Sequence, residues 1–152
     1  MKMKAITLWQ PWASLVVGGY KKIETRSWDT NHRGWLAVHA AKREPLDART
    51  LGLINPYFAT CLDAMGYYPG MWPRGVILGF VWLETTVPTK NILAELTRRE
   101  KAFGDYSPGR FAWLLRHQGR LPKPVPVRGR QGLWNWEIPE GTEGIPIDFI
   151  FK

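Results

Sequence analysis

Hydrophobic and polar residues alternate along several short stretches of this chain, and this alternation predicts β-strands. In the stretch 75–83, apolar residues occupy both the odd and the even positions. Because both faces of such a strand are apolar, it is expected at the centre of a sheet. The predicted strands are 5–9, 22–26, 35–39, 75–83, 111–115, 124–127 and 133–137.

Three regions between these strands have the pattern of helices. The first helix is predicted to start at Pro11, whose missing N–H costs nothing in a first turn, and to end at Gly18-Gly19. The second region, 44–66, is predicted to form one or two helices broken near Asn55-Pro56, and the third helix covers 91–103. Many short strands with about three helices favour an α+β fold, built as a small β-barrel with flanking helices. The length of 152 residues suits one domain over 1–152.

Composition narrows the class of protein. Hydrophobic residues make up 45% of the chain and charged residues 22%, which excludes a disordered polypeptide. The single cysteine, Cys61, allows neither an internal disulfide nor a cysteine-based zinc site, and it fits a reducing compartment.

The uncharged stretch 5–20 imitates a signal peptide, but Gln10-Pro11 interrupts it and no cleavage pattern follows. The sequence therefore predicts a cytoplasmic protein with no membrane partner.

The charge is uneven along the chain and indicates an anionic partner. There are 21 basic and 13 acidic residues, for a net charge of +8, together with nine tryptophans. Segments 1–45 and 91–132 carry +5 and +6, whereas 46–90 is neutral and 133–152 carries −3. A basic, tryptophan-rich domain suits nucleic acid, which is anionic and offers bases for stacking. For any single Lys or Arg, the alternative is ordinary solvated surface.

The stretch 21–26 contains the charged groups best suited to a ligand site. A strand period of two puts Lys22, Glu24 and Arg26 on one face and Lys21 on the other. Glu24 and Arg26 can therefore grip a ligand together, or they can form a structural ion pair. Both interpretations remain open at the level of sequence.

The strand 35–39 ends in His39, and Lys42 follows shortly after, so that two polar groups are expected at a rim. The alternative for His39 is a buried core histidine. His32, His39 and His117 are scattered along the chain, and the sequence therefore predicts no metal site. No phosphate-binding loop or dinucleotide-binding motif occurs, and no cofactor is expected.

Two further segments carry candidate binding residues. The loop 104–110, bounded by Gly and Pro, is either the lip of a ligand site or a set of turn-forming residues. The stretch 116–130 is rich in Arg and lacks aromatic residues, which indicates phosphate contacts, with Arg128 and Arg130 at its end.

The nine tryptophans are expected to divide unequally between core and surface. Position and periodicity predict that most of them are core residues, including Trp12 and Trp82. Only one or two of them, Trp9 or Trp28, are expected to be exposed enough to stack on a base.

Three segments of the chain resemble the ASCH domain family (activating signal cointegrator homology), part of the PUA-like superfamily. Residues 8–15 read LWQPWASL, residues 19–28 read GYKKIETRSW, and Arg33-Gly34 leads into 37–42. Residues 102–116 (AFGDYSPGRFAWLLR) look like the corresponding part of small bacterial and phage members. The resemblance implies a PUA-like barrel with a cleft beside the first helix and a role in binding RNA or another nucleic acid.

The resemblance also implies a candidate chemistry. Some small members hydrolyse the acetyl amide of 4-acetylcytidine with a Lys, a Thr three residues later and a distant Glu. Lys21 matches that Lys, but Glu24 stands at the Thr position. A carboxylate there can accept hydrogen bonds from a base edge, or act as a general base if its pKa is raised. Lys21 and Glu24 are therefore the catalytic candidates.

The leading interpretation is an ASCH domain that binds nucleic acid, RNA rather than DNA, or a nucleoside. The alternatives are a hydrolase acting on a modified nucleobase, a nuclease, or a protein-interaction module. The expected binding residues are Trp9, Gln10, Lys21, Glu24, Arg26, Trp28, His39, Lys42, Asp105, Tyr106, Ser107, Arg110, Arg128 and Arg130.

Overall fold

Six strands form one mixed sheet that curls into a half-barrel. The computed structural model describes residues 1–43, 45, 47–48, 50, 54–67 and 71–151. The strands are β1 (Lys2–Leu8), β2 (Ile23–Arg26), β3 (Gly34–Ala40), β4 (Val76–Pro88), β5 (Phe111–Pro126) and β6 (Leu133–Glu137). Their order is β2-β5-β4-β3-β1-β6, with β1 and β3 parallel and the other neighbouring pairs antiparallel.

Four α-helices flank the sheet in the part of the chain that is described, which confirms the α+β class. They are α1 (Trp12–Val17), α2 (Pro56–Ala64), α3 (Arg98–Phe103) and α4 (Ile147–Ile150). The first begins directly after Pro11 and ends at Gly18, as the sequence predicts. Part of the helical prediction over 44–66 falls on residues 44, 46, 49 and 51–53, which lie outside the described residues. None of the helices described is long and apolar enough to span a bilayer.

Two buried apolar clusters cover the two faces of the sheet. Ile6 and Leu8 of β1 belong to the first cluster, to which α1 contributes Val16, whereas Met3 and Ala5 belong to the second. This division follows from the period of two along a strand. β4 contributes to both clusters and lies between β3 and β5, which confirms the prediction of a central strand.

β5 is one strand of 16 residues, where the sequence predicted two short strands at 111–115 and 124–127. The residues between them also pair with β4, with three shifts of register along the pair. The prediction was wrong because the middle of β5 is polar and contains Gly119, and its pairing partner is remote in sequence. The two strands come very close there, since a Cβ on Gly79 would lie 2.0 Å from the carbonyl oxygen of Gly119.

The helix predicted over 91–103 is shorter than expected. The Thr97 hydroxyl accepts a hydrogen bond from the Glu100 N–H at 3.1 Å, which starts α3 one residue after Thr97. Two single turns of 3₁₀-helix, Thr89–Asn91 and Leu93–Glu95, occupy the preceding residues. Local capping by Thr97 therefore sets the start of α3, which the apolar spacing had placed too early.

Replacing Gly79 with Ala tests the close approach of β4 and β5. The new methyl group meets backbone atoms, which have no rotamer to move into, and we expect a loss of about 2–3 kcal/mol in the free energy of unfolding, measured in urea. Gly18→Ala is the matched control. Its backbone is helical and its tightest contact is the flexible end of Met65, so that its effect stays within about 1 kcal/mol. Equal losses in the two variants would contradict this packing.

Candidate functional site

A two-lobed cleft lies where β1 ends and the chain turns into α1. Its lobes share Thr7, Trp9 and Arg26. The large lobe, of about 1120 Å³, is lined by the shared residues and by Trp28, His39, Ala41, Lys42, Arg43, Gly75, Val127, Arg128, Gly129, Arg130, Gln131 and Gly132. The small lobe, of about 560 Å³, is lined by the shared residues and by Leu8, Trp12, Glu24, Thr25, Ala102, Phe103, Gly104, Asp105 and Arg110.

Lys21, Glu24 and Arg26 form an ion-pair network at the wall between the lobes. The Lys21 side chain is completely buried, and its Nζ donates to the Ile23 carbonyl and to Oε1 of Glu24, the latter at 3.2 Å. Oε2 of Glu24 lies 3.5 Å from Nη2 of Arg26, which also donates to the Thr7 carbonyl at 3.2 Å. The network therefore joins β2 to the end of β1.

The position of Lys21 corrects one sequence-based expectation. Strand periodicity placed Lys21 on the face opposite Glu24, but β2 begins only at Ile23. Lys21 lies in the turn before the strand, where the alternation does not apply, and its side chain reaches Glu24. It contacts neither lobe directly and lies beneath the Glu24 carboxylate.

The network keeps the Glu24 carboxylate ionised. Burial raises the pKa of Glu24, but the charges of Lys21 and Arg26 and the hydrogen bonds from Lys21 and the Thr25 N–H outweigh burial. The pKa of Glu24 therefore lies below its ordinary value of 4.5. At neutral pH the small lobe presents a carboxylate, which accepts hydrogen bonds.

Sequence reasoning missed Glu100, which lies next to this network. Its Oε1 accepts a hydrogen bond from the Lys22 N–H at 2.6 Å, whereas Oε2 is buried without a partner among the described residues. Burial raises the pKa of Glu100, against the opposing effects of the Lys22 N–H and the charge of Lys21. The spacing Thr97-x-x-Glu100 at the start of a helix was the signal that could have drawn attention to this residue.

Tyr106 was expected on the lip of the cleft, but the structure turns it inward. Its hydroxyl is buried and has no partner within the described part of the chain. Burial and the nearby charges of Glu100 and Glu24 raise the pKa of Tyr106 far above its ordinary value. The phenol therefore stays protonated at neutral pH and lines neither lobe.

The loop 104–110 contains turn-forming contacts and also borders the small lobe. Asp105 accepts hydrogen bonds from the backbone N–H and the hydroxyl of Ser107, at 3.0 and 2.6 Å, which is turn-forming chemistry. Asp105 and Arg110 also line the small lobe, where Nη2 of Arg110 donates to the Thr25 carbonyl at 3.1 Å. Ser107 lines neither lobe.

The large lobe collects cations from both basic segments. Arg26, Lys42 and Arg43 come from the first segment, and Arg128 and Arg130 from the second. Among the residues that the structure describes, no Asp or Glu lines this lobe. Arg43 was not among the residues expected from the sequence, although its position next to Lys42 could have indicated it.

His39 forms part of the floor of the large lobe and is almost fully buried. Its Nε2 lies 2.7 Å from the Val127 carbonyl, and its ring packs edge-on against Trp134. Burial lowers the pKa of His39 against the opposing effect of that carbonyl, so the ring is neutral at neutral pH. Gly129 lies so close that a Cβ would approach within 2.6 Å of the ring. These contacts favour the buried-core alternative, in which His39 supports the loop that carries Arg128.

Trp9 is the tryptophan that the structure leaves open to solvent, with 57% of its surface exposed. Trp28 is half-buried and packs edge-on against Trp113, with ring centroids 4.9 Å apart. Trp12 and Trp82 were predicted to be core residues, but both are only half-buried. Trp82 packs edge-on against Trp35.

Gln10 was expected to bind the ligand, but its amide is fully buried and already bonded. Nε2 donates to the Ser14 hydroxyl and to the Pro73 carbonyl at 2.7 and 2.8 Å, and Oε1 accepts from the Ser14 N–H. Gln10 therefore fixes the start of α1 and has no free polar group to offer. Across the described residues, no group of three or more His, Cys, Asp or Glu side chains is close enough to hold a metal ion.

The half-barrel and the cleft beside α1 define the class of protein. Residues 6–114 match the ASCH domain, and the chain belongs to that family. It is 28% identical over 131 residues to activating signal cointegrator 1 of Homo sapiens, and 26% over 132 residues to the protein of that name in Mus musculus. Both matches cover 85% of this chain and 21% of the relative. The chain thus spans about a fifth of the length of these relatives.

Solved structures of an ASCH protein from Zymomonas mobilis are also similar to this chain. The protein itself is matched with a TM-score of 0.49 and 16% identity, over 82% of this chain and 73% of the other. A single-substitution variant of it is matched with a TM-score of 0.48 and 17% identity, over 82% and 75%.

Glu24→Gln tests whether Glu24 compensates the buried charge of Lys21. We expect a loss of about 3 kcal/mol in the free energy of unfolding at neutral pH, because a buried ammonium loses its counter-charge. Since the folded-state pKa of Glu24 is depressed, its stabilising effect is present above pH 4.5 and disappears as the pH falls through the folded-state value. The difference between wild type and variant should shrink accordingly in urea unfolding at decreasing pH.

Glu137→Gln is the matched control for this prediction. Glu137 is exposed and pairs with the N-terminal ammonium at 3.3 Å, so that its loss should cost less than about 1 kcal/mol. A Glu24→Gln effect that is equally small, or that does not change with pH, would contradict the proposed role of Glu24.

Proposed function

We propose that this ASCH domain binds single-stranded nucleic acid, with RNA preferred over DNA, and that phosphates occupy the large lobe while a base occupies the small one. The observation that carries the proposal is the large lobe itself, where five cationic side chains line one concavity without a carboxylate among its described lining residues. Cations held together in this way repel one another and are stabilised by an anion between them. A chain of phosphates supplies such anions at a regular spacing.

The aromatic surface next to these cations supports nucleic acid over other polyanions. Trp9 borders both lobes, and Trp28 borders the large one. An exposed indole offers a flat face on which any base can stack, for about 1–3 kcal/mol per base. An anionic sugar or an acidic protein segment would use the cations but would leave the exposed face of Trp9 without a planar partner.

The preference for RNA is part of the proposal and rests on the role in RNA binding that the resemblance to the ASCH family implies. RNA differs from DNA by a 2′-hydroxyl, which both donates and accepts hydrogen bonds. Binding of RNA and DNA strands of the same sequence and length, compared at one salt concentration, measures this preference directly.

A salt titration with charge-matched variants tests the phosphate contacts. The slope of log affinity against log salt should fall by roughly 1.4 in Arg128→Ala/Arg130→Ala, about 0.7 for each lost contact with a single strand. The control is Lys2→Ala/Lys4→Ala, which removes the same charge from exposed positions on β1 outside both lobes. Its slope should stay close to that of the wild type.

Glu24→Gln supplies the third arm of the titration. Because Glu24 would contact a base edge and no phosphate, this variant should change which base is preferred and leave the slope unchanged. Gln is chosen over Ala because Ala would remove both the counter-charge of Lys21 and its hydrogen bond, whereas Gln retains an oxygen that can accept that hydrogen bond. Equal slopes in all variants would contradict the division between phosphate and base. If no strand binds even at low salt, the domain is better described as a protein-interaction module.

Hydrolysis of a modified nucleobase is the second candidate function. It is favoured by the position of the Glu24 carboxylate, which lines the small lobe and contacts the buried Lys21 ammonium. The depressed pKa of Glu24 argues against it, because a carboxylate held in its ionised form by two cations is a weak general base. Binding without turnover is therefore the better-supported function.

Incubation with 4-acetylcytidine and with end-labelled RNA, followed by mass spectrometry, separates binding from catalysis. We expect neither acetate release nor strand cleavage above the rate without protein. Acetate release that is lost in Glu24→Gln would instead establish the hydrolase. Strand cleavage lost in the same variant would establish a nuclease.

A further inference from the structure

The two lobes of the cleft differ in charge although they share a wall. Besides the shared Arg26, which pairs with Glu24, four cations line the large lobe, whereas in the small lobe Glu24 and Asp105 balance Arg26 and Arg110. A phosphate is stabilised by the first set of charges and is repelled by the two carboxylates of the second. The backbone of a bound strand is therefore expected to stay in the large lobe.

Trp9 stands at the border between the two lobes. Its backbone is fixed, because the Trp9 carbonyl accepts a hydrogen bond from the Ala13 N–H at 3.0 Å in the first turn of α1. Its indole lines both lobes and pairs with no other aromatic ring that the structure describes. This leaves an open stacking surface at the border, and a base from the strand can cover it.

The polar groups at the floor of the small lobe have only part of their hydrogen-bonding capacity occupied by other residues of the protein. Oε1 of Glu24 already accepts from Lys21 and from the Thr25 N–H, but Oε2 has only Arg26 at 3.5 Å. The Arg26 side chain lines the same lobe and is 27% exposed. The lobe thus offers a carboxylate that accepts next to a guanidinium that donates, which is the arrangement that complements the edge of a nucleobase.

Together these features indicate how a strand fills the cleft. A base that remains stacked between its neighbours has both faces covered, and it cannot contact Trp9 and the Glu24–Arg26 edge while its phosphates remain in the large lobe. Trp9 is the exposed tryptophan at this border, and it offers one stacking position facing the small lobe. The base must therefore leave the stack of its own strand.

We propose that the cleft takes one nucleotide out of the base stack of a single strand. Its base enters the small lobe and stacks on Trp9, while the flanking phosphates stay in the large lobe. This inference rests on the proposed binding of single-stranded nucleic acid and specifies how many bases the site reads. It predicts that affinity depends on the presence of one base and hardly on the bases beside it.

Strands of equal length that carry different numbers of bases test this inference. One strand is abasic at every position, a second has a single central base, and a third has three adjacent bases, with each of the four bases tried in turn. We expect the single base to raise affinity roughly 10- to 100-fold over the abasic strand, the effect of one stacked base. Two further bases should add at most about threefold, the statistical advantage of three registers.

Two variants test which part of the cleft produces the gain in affinity from a single base. Trp9→Ala should remove most of the difference between the single-base and abasic strands, because the base loses its stacking partner and keeps only the Glu24–Arg26 edge, and its exposed side chain makes the substitution safe for folding. Arg128→Ala/Arg130→Ala should weaken both strands by the same factor and keep their ratio unchanged, because both arginines line only the large lobe.

Three outcomes would overturn the inference. They are equal affinity for abasic and single-base strands, a gain of tenfold or so with every added base, and a base effect that is undiminished in Trp9→Ala. The failure of the proposed function would look different, because then no strand, abasic or complete, would bind in a salt-dependent way.

Discussion

The completely buried ammonium of Lys21 is the constraint on which the site depends. A buried charge without compensation costs several kcal/mol, so the structure must place an anion beside it. Glu24 supplies that anion, and its second oxygen faces Arg26, which in turn bonds to the Thr7 carbonyl at the end of β1. The same network that stabilises Lys21 therefore joins β2 to β1 and builds the wall between the two lobes.

The proposed ligand recognition rests on how this network distributes charge. Arg26 pairs with Glu24, and the small lobe is formally neutral, whereas the large lobe has four further cations. The acidic groups lie on one side of Trp9 and these four cations on the other. A polymer that is charged along its backbone and uncharged at its planar side groups matches this division, and single-stranded nucleic acid has that chemistry.

The local parts of this arrangement could be predicted from the sequence, and the long-range parts could not. Pro11 and Gly18 mark the ends of α1, and the spacing of Glu24 and Arg26 places both beside the cleft. The extent of β5 depends on pairing with β4, which leaves no local pattern. Gln10 is polar and lies within a family motif, but only the structure shows that Ser14 and Pro73 already use its amide.

Quenching of tryptophan fluorescence by a single-stranded oligonucleotide is the decisive measurement, because base stacking is assigned to Trp9 out of nine tryptophans. The oligonucleotide should quench the wild-type protein and Trp28→Phe to a similar extent. Trp9→Phe, which retains the cations of the large lobe, should lose most of the quenching. Undiminished quenching in Trp9→Phe would show that the base lies elsewhere and that Trp9 is not its stacking partner.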